Sequence, residues 1–271
     1  MSDILEGTPI IEDEERLEAV REVARSITAR FDREYWLRCA RQGLPMDEMW
    51  QALGESGLLG LRVPEKYGGM GGSIRELAAV LEIMCAAGVP EGSLLLTGFA
   101  RVPILEQGTQ EQIERWVLPT IDGQHRMCFA MTEPDAGTNS FNVRTSARKV
   151  DGGWSISGQK VYISNARESQ TMVILCRTGE VDGKPELSLF VLKTDTPGIT
   201  YNLLDIAQLS PENQYGVFFD DVLIADDQLI GERGKGLRYL FSGLNVKRRS
   251  KGTPDRRRRG TPFSDNMMLV C

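Results

Sequence analysis

The sequence predicts an α+β fold, with an N-terminal all-α helical domain followed by an antiparallel, β-barrel-like domain. Two observations support this prediction. Apolar residues recur at helical spacing through residues 1–125, whereas short β-branched or aromatic runs separated by Gly, Pro and Asp follow over residues 126–232. Because no helical pattern separates these short runs, we expect an antiparallel sheet or barrel and not a doubly wound parallel sheet.

The helical half contains start and stop signals in addition to its periodicity. Ser or Thr followed three residues later by Glu or Gln is the pattern of a capping box, and Gly with a following Pro is typical of a helix end. The predicted helices are one through Leu17–Ile27, a short one over Asp47–Leu53, one capped by Ser73 and Glu76, one over Gly92–Gln107, and one capped by Thr109 and Gln112.

The second half changes to the pattern of strands. A hairpin is predicted where the turn sequence Asp-Gly-Gly at residues 151–153 separates residues 144–150 from residues 154–163. Further strands are expected over residues 171–176, 187–192 and 217–224, and a new helix is expected from Leu237 to Val246.

Composition excludes several classes of protein. The chain has 271 residues, 41% of them apolar and 26% charged, and a formal net charge of -6, which does not favour nucleic-acid binding. No apolar run approaches the roughly 20 residues that span a bilayer, and the N-terminus lacks the pattern of a signal peptide. The five cysteines are widely spaced without a CxxC pair, so we expect reduced, buried thiols in a cytoplasmic protein and no metal site.

The basic stretch over residues 247–271 departs from the acidic body. It is rich in Arg, Gly, Pro and Ser and has no apolar periodicity. One interpretation is a disordered tail that binds acidic surfaces. The other is an interruption of the sequence near Val246, and we favour it because the helix beginning at Leu237 has a start but no end signal.

The stretch from Phe129 to Ser140 lies where a predicted strand breaks into a Pro/Gly loop. It reads Phe-Ala-Met-Thr-Glu-Pro-Asp-Ala-Gly-Thr-Asn-Ser. The Thr132 hydroxyl lies beside several backbone amides, Gly137 lets the backbone approach a flat ligand, and Thr138 adds a short polar group. These features favour a site for a planar, polar-edged ligand.

A second segment, Gly158 to Asn165, places an aromatic ring and a hydroxyl on another predicted strand. Tyr162 could lie against the face of a planar ring, and Ser164 could bind one of its edges. Either residue alone is more typical of a packed strand. The combination with the first segment is what favours a ligand site.

These two segments resemble the two flavin signatures of the acyl-CoA dehydrogenase family. The glycine-rich loop Gly57 to Gly72 and the stretches Phe219 to Ile224 and Leu229 to Gly236 also resemble that family, so the resemblance covers about residues 10–246. The sequence departs from the family at Tyr162, where many members carry tryptophan.

The resemblance implies FAD as cofactor and an acyl-CoA as substrate. In the reaction of that family, an α proton is removed while the β hydrogen leaves as hydride to the flavin, and the electrons pass on to electron-transfer flavoprotein. By position in the signatures, Thr138 is also a candidate substrate contact. The cofactor-binding residues carried over are Phe129, Met131, Thr132, Gly137, Thr138, Tyr162 and Ser164.

The resemblance also implies a homo-oligomer and a C-terminal four-helix domain that holds the catalytic base. We expect that domain to be missing here, with residues 233–246 forming only its start. No catalytic residue is therefore assigned in this chain. Glu133 lies inside the first signature and is not expected to be the base.

Three hypotheses follow for function. The first is an FAD-dependent oxidoreductase acting on the Cα–Cβ bond of acyl-CoA thioesters, catalytically incomplete in this chain, with a crotonobetainyl-CoA reductase-like role as one subgroup. The second is a non-catalytic chain that binds flavin or associates with a full-length relative. The third is a β-domain adaptor whose basic tail contacts acidic partners.

Overall fold

A computed structural model describes residues 14–244, in which helices come first and a mixed sheet follows. The basic stretch over residues 247–271 and the end of the last predicted helix at Val246 lie outside the described residues. The helices are α1 (Glu14–Thr28), α2 (Arg33–Gln42), α3 (Asp47–Glu55), α4 (Ile74–Ala86), α5 (Gly92–Gln107), α6 (Gln110–Gln112) and α7 (Gly236–Leu244).

Two of the predicted helix starts are confirmed by their capping boxes. Ser73 accepts a hydrogen bond from Glu76 N while the Glu76 carboxylate accepts one from Ser73 N, so the predicted capping box of α4 is confirmed. The box of Thr109 and Gln112 is confirmed in the same way. Beyond α6 the chain continues as a π-helix, Ile113–Val117, and a 3-10 turn. Helix α2, which the sequence analysis missed, begins at an Asp32 cap.

The strands are β1 (Met127–Ala130), β2 (Ser146–Val150), β3 (Gly153–Ser164), β4 (Thr171–Val181), β5 (Lys184–Lys193), β6 (Ile199–Leu203), β7 (Gln214–Ala225) and β8 (Leu229–Ile230). They form one sheet with the order β6-β7-β3-β2-β4-β5-β8, and β1 pairs with β4 beside this path. Most neighbouring strands are antiparallel, as expected, but β1 and β4 run parallel, and β2 meets β4 in one parallel pair.

The pairing of β1 therefore departs from the expected antiparallel pattern. This strand enters from the helical half and pairs beside β4 through residues such as Phe129, opposite Val173. Strands β6 and β8 were also missed, since β8 has only two residues and the exposed strand β6 lacks an apolar run. The predicted hairpin between β2 and β3 is confirmed, with Gly152 in its turn at a φ of 76°.

Three apolar clusters hold these elements together. The first lies among α1 to α5, the second joins α5 and the segment after α6 to one face of the sheet, and the third lies on the other face. Strand β4 is buried on both faces, because Val173 and Leu175 belong to the second cluster and Met172 and Ile174 to the third. This double burial explains why residues 172–176 of β4 form a continuous apolar run instead of alternating.

Candidate functional site

A pocket of about 840 Å³ lies where α4 and α5 face the sheet. Leu81 on α4 and Leu95, Leu96 and Phe99 on α5 line its helical wall, which is mostly apolar. The opposite wall is formed by β1, by the residues after β1 and by the end of β3. A pocket of this size and character is typical of a site for an organic ligand.

The structure brings five of the predicted cofactor-binding residues together on the sheet wall. Phe129, Met131 and Thr132 come from β1 and the residues after it, and Tyr162 and Ser164 come from the end of β3. The two segments are held side by side by a hydrogen bond from Val161 N to Thr132 O of 2.9 Å. Segments that lie apart in the sequence therefore form one surface.

A β-bulge turns Tyr162 into this pocket. In a regular strand Lys160 and Tyr162 would point to the same face. The pairing of β3 with β7 shifts register between Lys160 and Ile163, and Tyr162 has a φ of 57°, in the left-handed region that non-glycine residues rarely adopt. As a result Lys160 is buried and the ring of Tyr162 is 63% exposed.

Ser164 and Thr132 offer polar groups on the same wall. The Ser164 hydroxyl accepts a hydrogen bond from the side-chain amide of Gln214 at 2.7 Å, so its own hydrogen remains available as a donor. The backbone N–H of Thr132 donates to no acceptor within residues 14–244. An unpaired amide beside a pocket is a ready donor for a ligand.

Gly137 and Thr138 lie outside the lining of this pocket, in the exposed turn that follows it. A Cβ placed on Gly137 would meet nothing within 4 Å, so the space over this backbone is open. Just before these two residues, paired hydrogen bonds of 3.1 Å each between Glu133 and Ala136 close a tight turn. Contact of Gly137 or Thr138 with a cofactor stays a prediction.

Glu133 is held in a buried ion pair, and it does not line the pocket. Its carboxylate lies 2.8 Å from Lys160 Nζ and accepts hydrogen bonds from Arg144 N and Thr145 N at 2.7 and 3.0 Å. Burial opposes its ionisation, but the charge of Lys160 and these donors hold the pKa of Glu133 below its usual range. A carboxylate stabilised in this way is a poor base.

Sequence reasoning missed three carboxylates in the pocket lining, Glu82, Glu91 and Glu212. Glu91 and Glu212 lie at the start of α5, where Ser93 N donates to Glu91 at 3.0 Å and Gly92 N donates to Glu212 at 2.7 Å. Burial, followed by the charge of Glu212, raises the pKa of Glu91 to about 7. Glu91 directly precedes a predicted helix, which signals a cap. Nothing in the sequence, however, indicates that Glu91 lies near Glu212, which is distant along the chain.

Two further classes of site are not found in the described part of the chain. Residues 14–244 contain no group of three or more His, Cys, Asp or Glu side chains that could hold a metal ion. None of their helices is long and apolar enough to cross a membrane. Of the cysteines described, Cys39, Cys128 and Cys176 are free and buried, whereas Cys85 is free but exposed, contrary to the expectation of burial.

Comparison with known proteins identifies the two halves separately. Residues 12–124 match the family model described as acyl-CoA dehydrogenase, N-terminal domain, and residues 128–222 match the one described as acyl-CoA dehydrogenase, middle domain. Acyl-CoA dehydrogenase FadE12 of Mycobacterium tuberculosis is 40% identical over 243 residues, which cover 89% of this chain and 62% of that relative. The chain thus spans less than two thirds of this relative's length.

Solved structures show the same fold. An acyl-CoA dehydrogenase from Geobacillus kaustophilus matches with a TM-score of 0.78 and 28% identity, over 89% of this chain and 64% of that one. The glutaryl-CoA dehydrogenase of Mycobacterium smegmatis matches with a TM-score of 0.75 and 27% identity, over 88% and 60%. On these matches to both domains, the chain belongs to the acyl-CoA dehydrogenase family.

Proposed function

We propose that this chain binds FAD and an acyl-CoA, as part of an FAD-dependent oxidoreductase that acts on the Cα–Cβ bond of acyl-CoA thioesters. The observation that carries the proposal is the single pocket that both signature segments share with α4 and α5. One wall is polar at Thr132 and Ser164 and aromatic at Tyr162, and the helical wall is mostly apolar. Such a pocket suits a planar cofactor beside a hydrocarbon chain.

The residues on the sheet wall fit the polar edge of an isoalloxazine ring. Thr132 offers an unpaired N–H and a hydroxyl, and Ser164 offers a hydroxyl whose acceptor side is already occupied by Gln214. The exposed ring of Tyr162 can lie against a flat surface. Gly137 and Thr138 are proposed to approach the cofactor from the exposed turn. The chemistry that FAD would supply when bound is to accept the hydride from Cβ.

The helical wall suits the acyl group. Leu81, Leu95, Leu96 and Phe99 provide an apolar surface, and burying a hydrocarbon chain against it stabilises binding by about 0.8 kcal/mol per methylene group. An acyl chain packed against this surface would exclude water from the space beside the sheet wall. The acyl chain is therefore proposed to lie along α4 and α5.

We assign no catalytic base to this chain. Glu133 is held by Lys160 and two backbone donors, and the carboxylate of Glu91 caps the start of α5. General-base catalysis typically contributes on the order of 10²–10⁴ in rate, so we expect binding without appreciable turnover.

The proposal extends to electron-transfer flavoprotein as electron acceptor and to a homo-oligomeric assembly, both of which rest on the family alone.

An anaerobic titration of the FAD-loaded chain with butyryl-CoA tests this proposal. We expect a shift of the visible flavin bands without bleaching, because the acyl chain enters the pocket while no base removes the α proton. Free CoA, which lacks the acyl group, is the matched control and should shift the bands less. Unchanged bands with butyryl-CoA would contradict acyl-CoA binding, and rapid bleaching would show that a base lies within these residues.

A further inference from the structure

Lys160 is the one lysine among the largest fully buried side chains of the described residues, and the proposed function does not use it. Its Nζ lies 2.8 Å from Glu133 Oε1 and donates a hydrogen bond to the backbone carbonyl of Met131 at 3.0 Å. Burying an ammonium group is costly unless it is paired and hydrogen-bonded. Its position therefore requires an explanation.

The ammonium group of Lys160 is fixed in place from several sides. The carboxylate of Glu133 that binds it is itself held by Arg144 N and Thr145 N, just before β2. Lys160 stands on β3, and Met131 follows β1. The lysine thus ties one backbone carbonyl after β1 to two neighbouring strands.

The direction of that carbonyl sets the direction of the next amide. Peptide bonds are planar, and no cis bond occurs within residues 14–244, so the C=O of Met131 and the N–H of Thr132 point in opposite directions. With the Met131 carbonyl turned toward buried Lys160, the Thr132 N–H is turned away from it. The next carbonyl along the chain, that of Thr132, accepts a hydrogen bond from Val161 N. The Thr132 N–H is therefore held in its direction by contacts on both the preceding and the following carbonyl.

We propose that Lys160 is a positioning residue that presents the Thr132 N–H as a hydrogen-bond donor to a carbonyl oxygen on the polar edge of the bound flavin ring. The inference rests on the proposed function, since it requires FAD in the pocket that Thr132 lines. A donor fixed before the ligand arrives needs no reorganisation on binding. The charges of Lys160 and Glu133 compensate each other, so the pair acts through orientation and not through net charge.

A double variant separates this role from simple stabilisation of the fold. Lys160→Met alone leaves Glu133 buried without its counter-charge, whereas Lys160→Met with Glu133→Gln removes both charges and keeps similar volumes. Lys149→Met is the matched control. It removes an exposed lysine of the neighbouring strand β2, which forms an ion pair with Asp226. Each protein is tested for a cooperative melt, for FAD affinity by fluorescence quenching, and for the carbonyl-stretch bands of bound flavin by Raman spectroscopy.

The expected result is that the double variant melts cooperatively but binds FAD at least about tenfold more weakly, with carbonyl bands shifted to higher frequency. The Lys149→Met control should match the wild type in both. Wild-type affinity and bands in the double variant would overturn the role of Lys160 while leaving FAD binding intact. Absence of saturable FAD binding by the wild type would overturn the proposed function together with this inference.

A second measurement covers the case in which the double variant does not fold. In the wild type labelled with ¹⁵N-threonine, the Thr132 amide signal is assigned by its loss in Thr132→Ser. We expect FAD to move this amide proton downfield, as a new hydrogen bond does. A Thr132 signal that does not move while FAD saturates the protein would overturn the inference.

Discussion

At the scale of residues, the candidate site depends on backbone conformations that are unfavourable for the residues that adopt them. Tyr162 and Asn165 have φ values of 57° and 51°, and Tyr162 lies beside the buried Ile163 of β3. Such conformations cost on the order of 1–3 kcal/mol each and persist where surrounding contacts enforce them. Asn165 is enforced in this way, because its side chain binds Ser93 at 2.8 Å and Asn213 at 3.1 Å.

Gly137→Val tests the proposed approach of the exposed turn to the cofactor. Gly137 does not have a left-handed φ, and its Cβ position is open, so the variant should melt within about 2 °C of the wild type. If the turn approaches FAD, the branched side chain should raise the FAD dissociation constant at least about tenfold. Fluorescence quenching measures this change.

Gly98→Ala is the control for that variant, since Gly98 also has open space at its Cβ but does not line the pocket. It should leave FAD affinity unchanged. Wild-type FAD affinity in Gly137→Val would place the cofactor away from this turn.

The raised pKa of Glu91 predicts that the stability of the fold depends on pH. Its pKa is raised from 4.5 to about 7 by burial and by Glu212, so folding favours its protonated form. The stability that this preference contributes is present below about pH 4.5 and is lost as the pH rises through about 7. Glu91→Gln stays uncharged and can still cap Ser93 N. We expect it to be more stable than the wild type by about 1–3 kcal/mol at pH 8.

Thermal melts at pH 5 and pH 8 check this expectation, and the difference between variant and wild type should be much smaller at pH 5. Glu82→Gln, which changes an exposed carboxylate in the same pocket lining, is the control. An equal effect of Glu91→Gln at both pH values would refute ionisation of Glu91 as the cause.

At the scale of elements, local signals in the sequence predicted the helices well. The capping boxes at Ser73 and Thr109 and the bounds Gly92–Gln107 are local features, and all are confirmed. The parallel pairing of β1 and the bulge at Tyr162 depend on partners far along the chain. No local pattern encodes them, and for this reason the sequence indicated the residues of one pocket wall but not the helical wall opposite.

Leu95→Trp tests the division of the pocket into an acyl wall and a flavin wall. Leu95 is 7% exposed and lines the pocket from α5, so an indole there should fill space proposed for the acyl chain. We expect the dissociation constant for butyryl-CoA to rise at least about tenfold, with that for FAD changed less than about twofold. Titration of the flavin bands measures both constants.

Leu203→Trp, at a position 59% exposed on β6, is the matched control and should affect neither ligand. Equal weakening of FAD and butyryl-CoA by Leu95→Trp would mean that the two walls do not hold separate ligands.

At the scale of the whole molecule, contacts between distant parts of the chain create the pocket. The side chain of Gln112 donates to the carbonyls of Asp227 and Leu229 at 2.6 and 2.8 Å, and the Asn213 side chain donates to Gly43 O at 2.9 Å. These hydrogen bonds join the helices to the sheet on two sides. Because the pocket lies between them, we expect ligand binding and cooperative unfolding to be coupled.

Titration of the purified, folded chain with FAD tests the central claim most directly. Because Thr132 and Tyr162 lie on one wall of the pocket, we expect saturable quenching of flavin fluorescence at one FAD per chain. We also expect a melting temperature that rises with FAD concentration. Tyr162→Ala should weaken this binding, because the exposed ring would no longer cover the flavin. A chain that melts cooperatively but shows neither saturable quenching nor a shift in melting temperature would contradict the account.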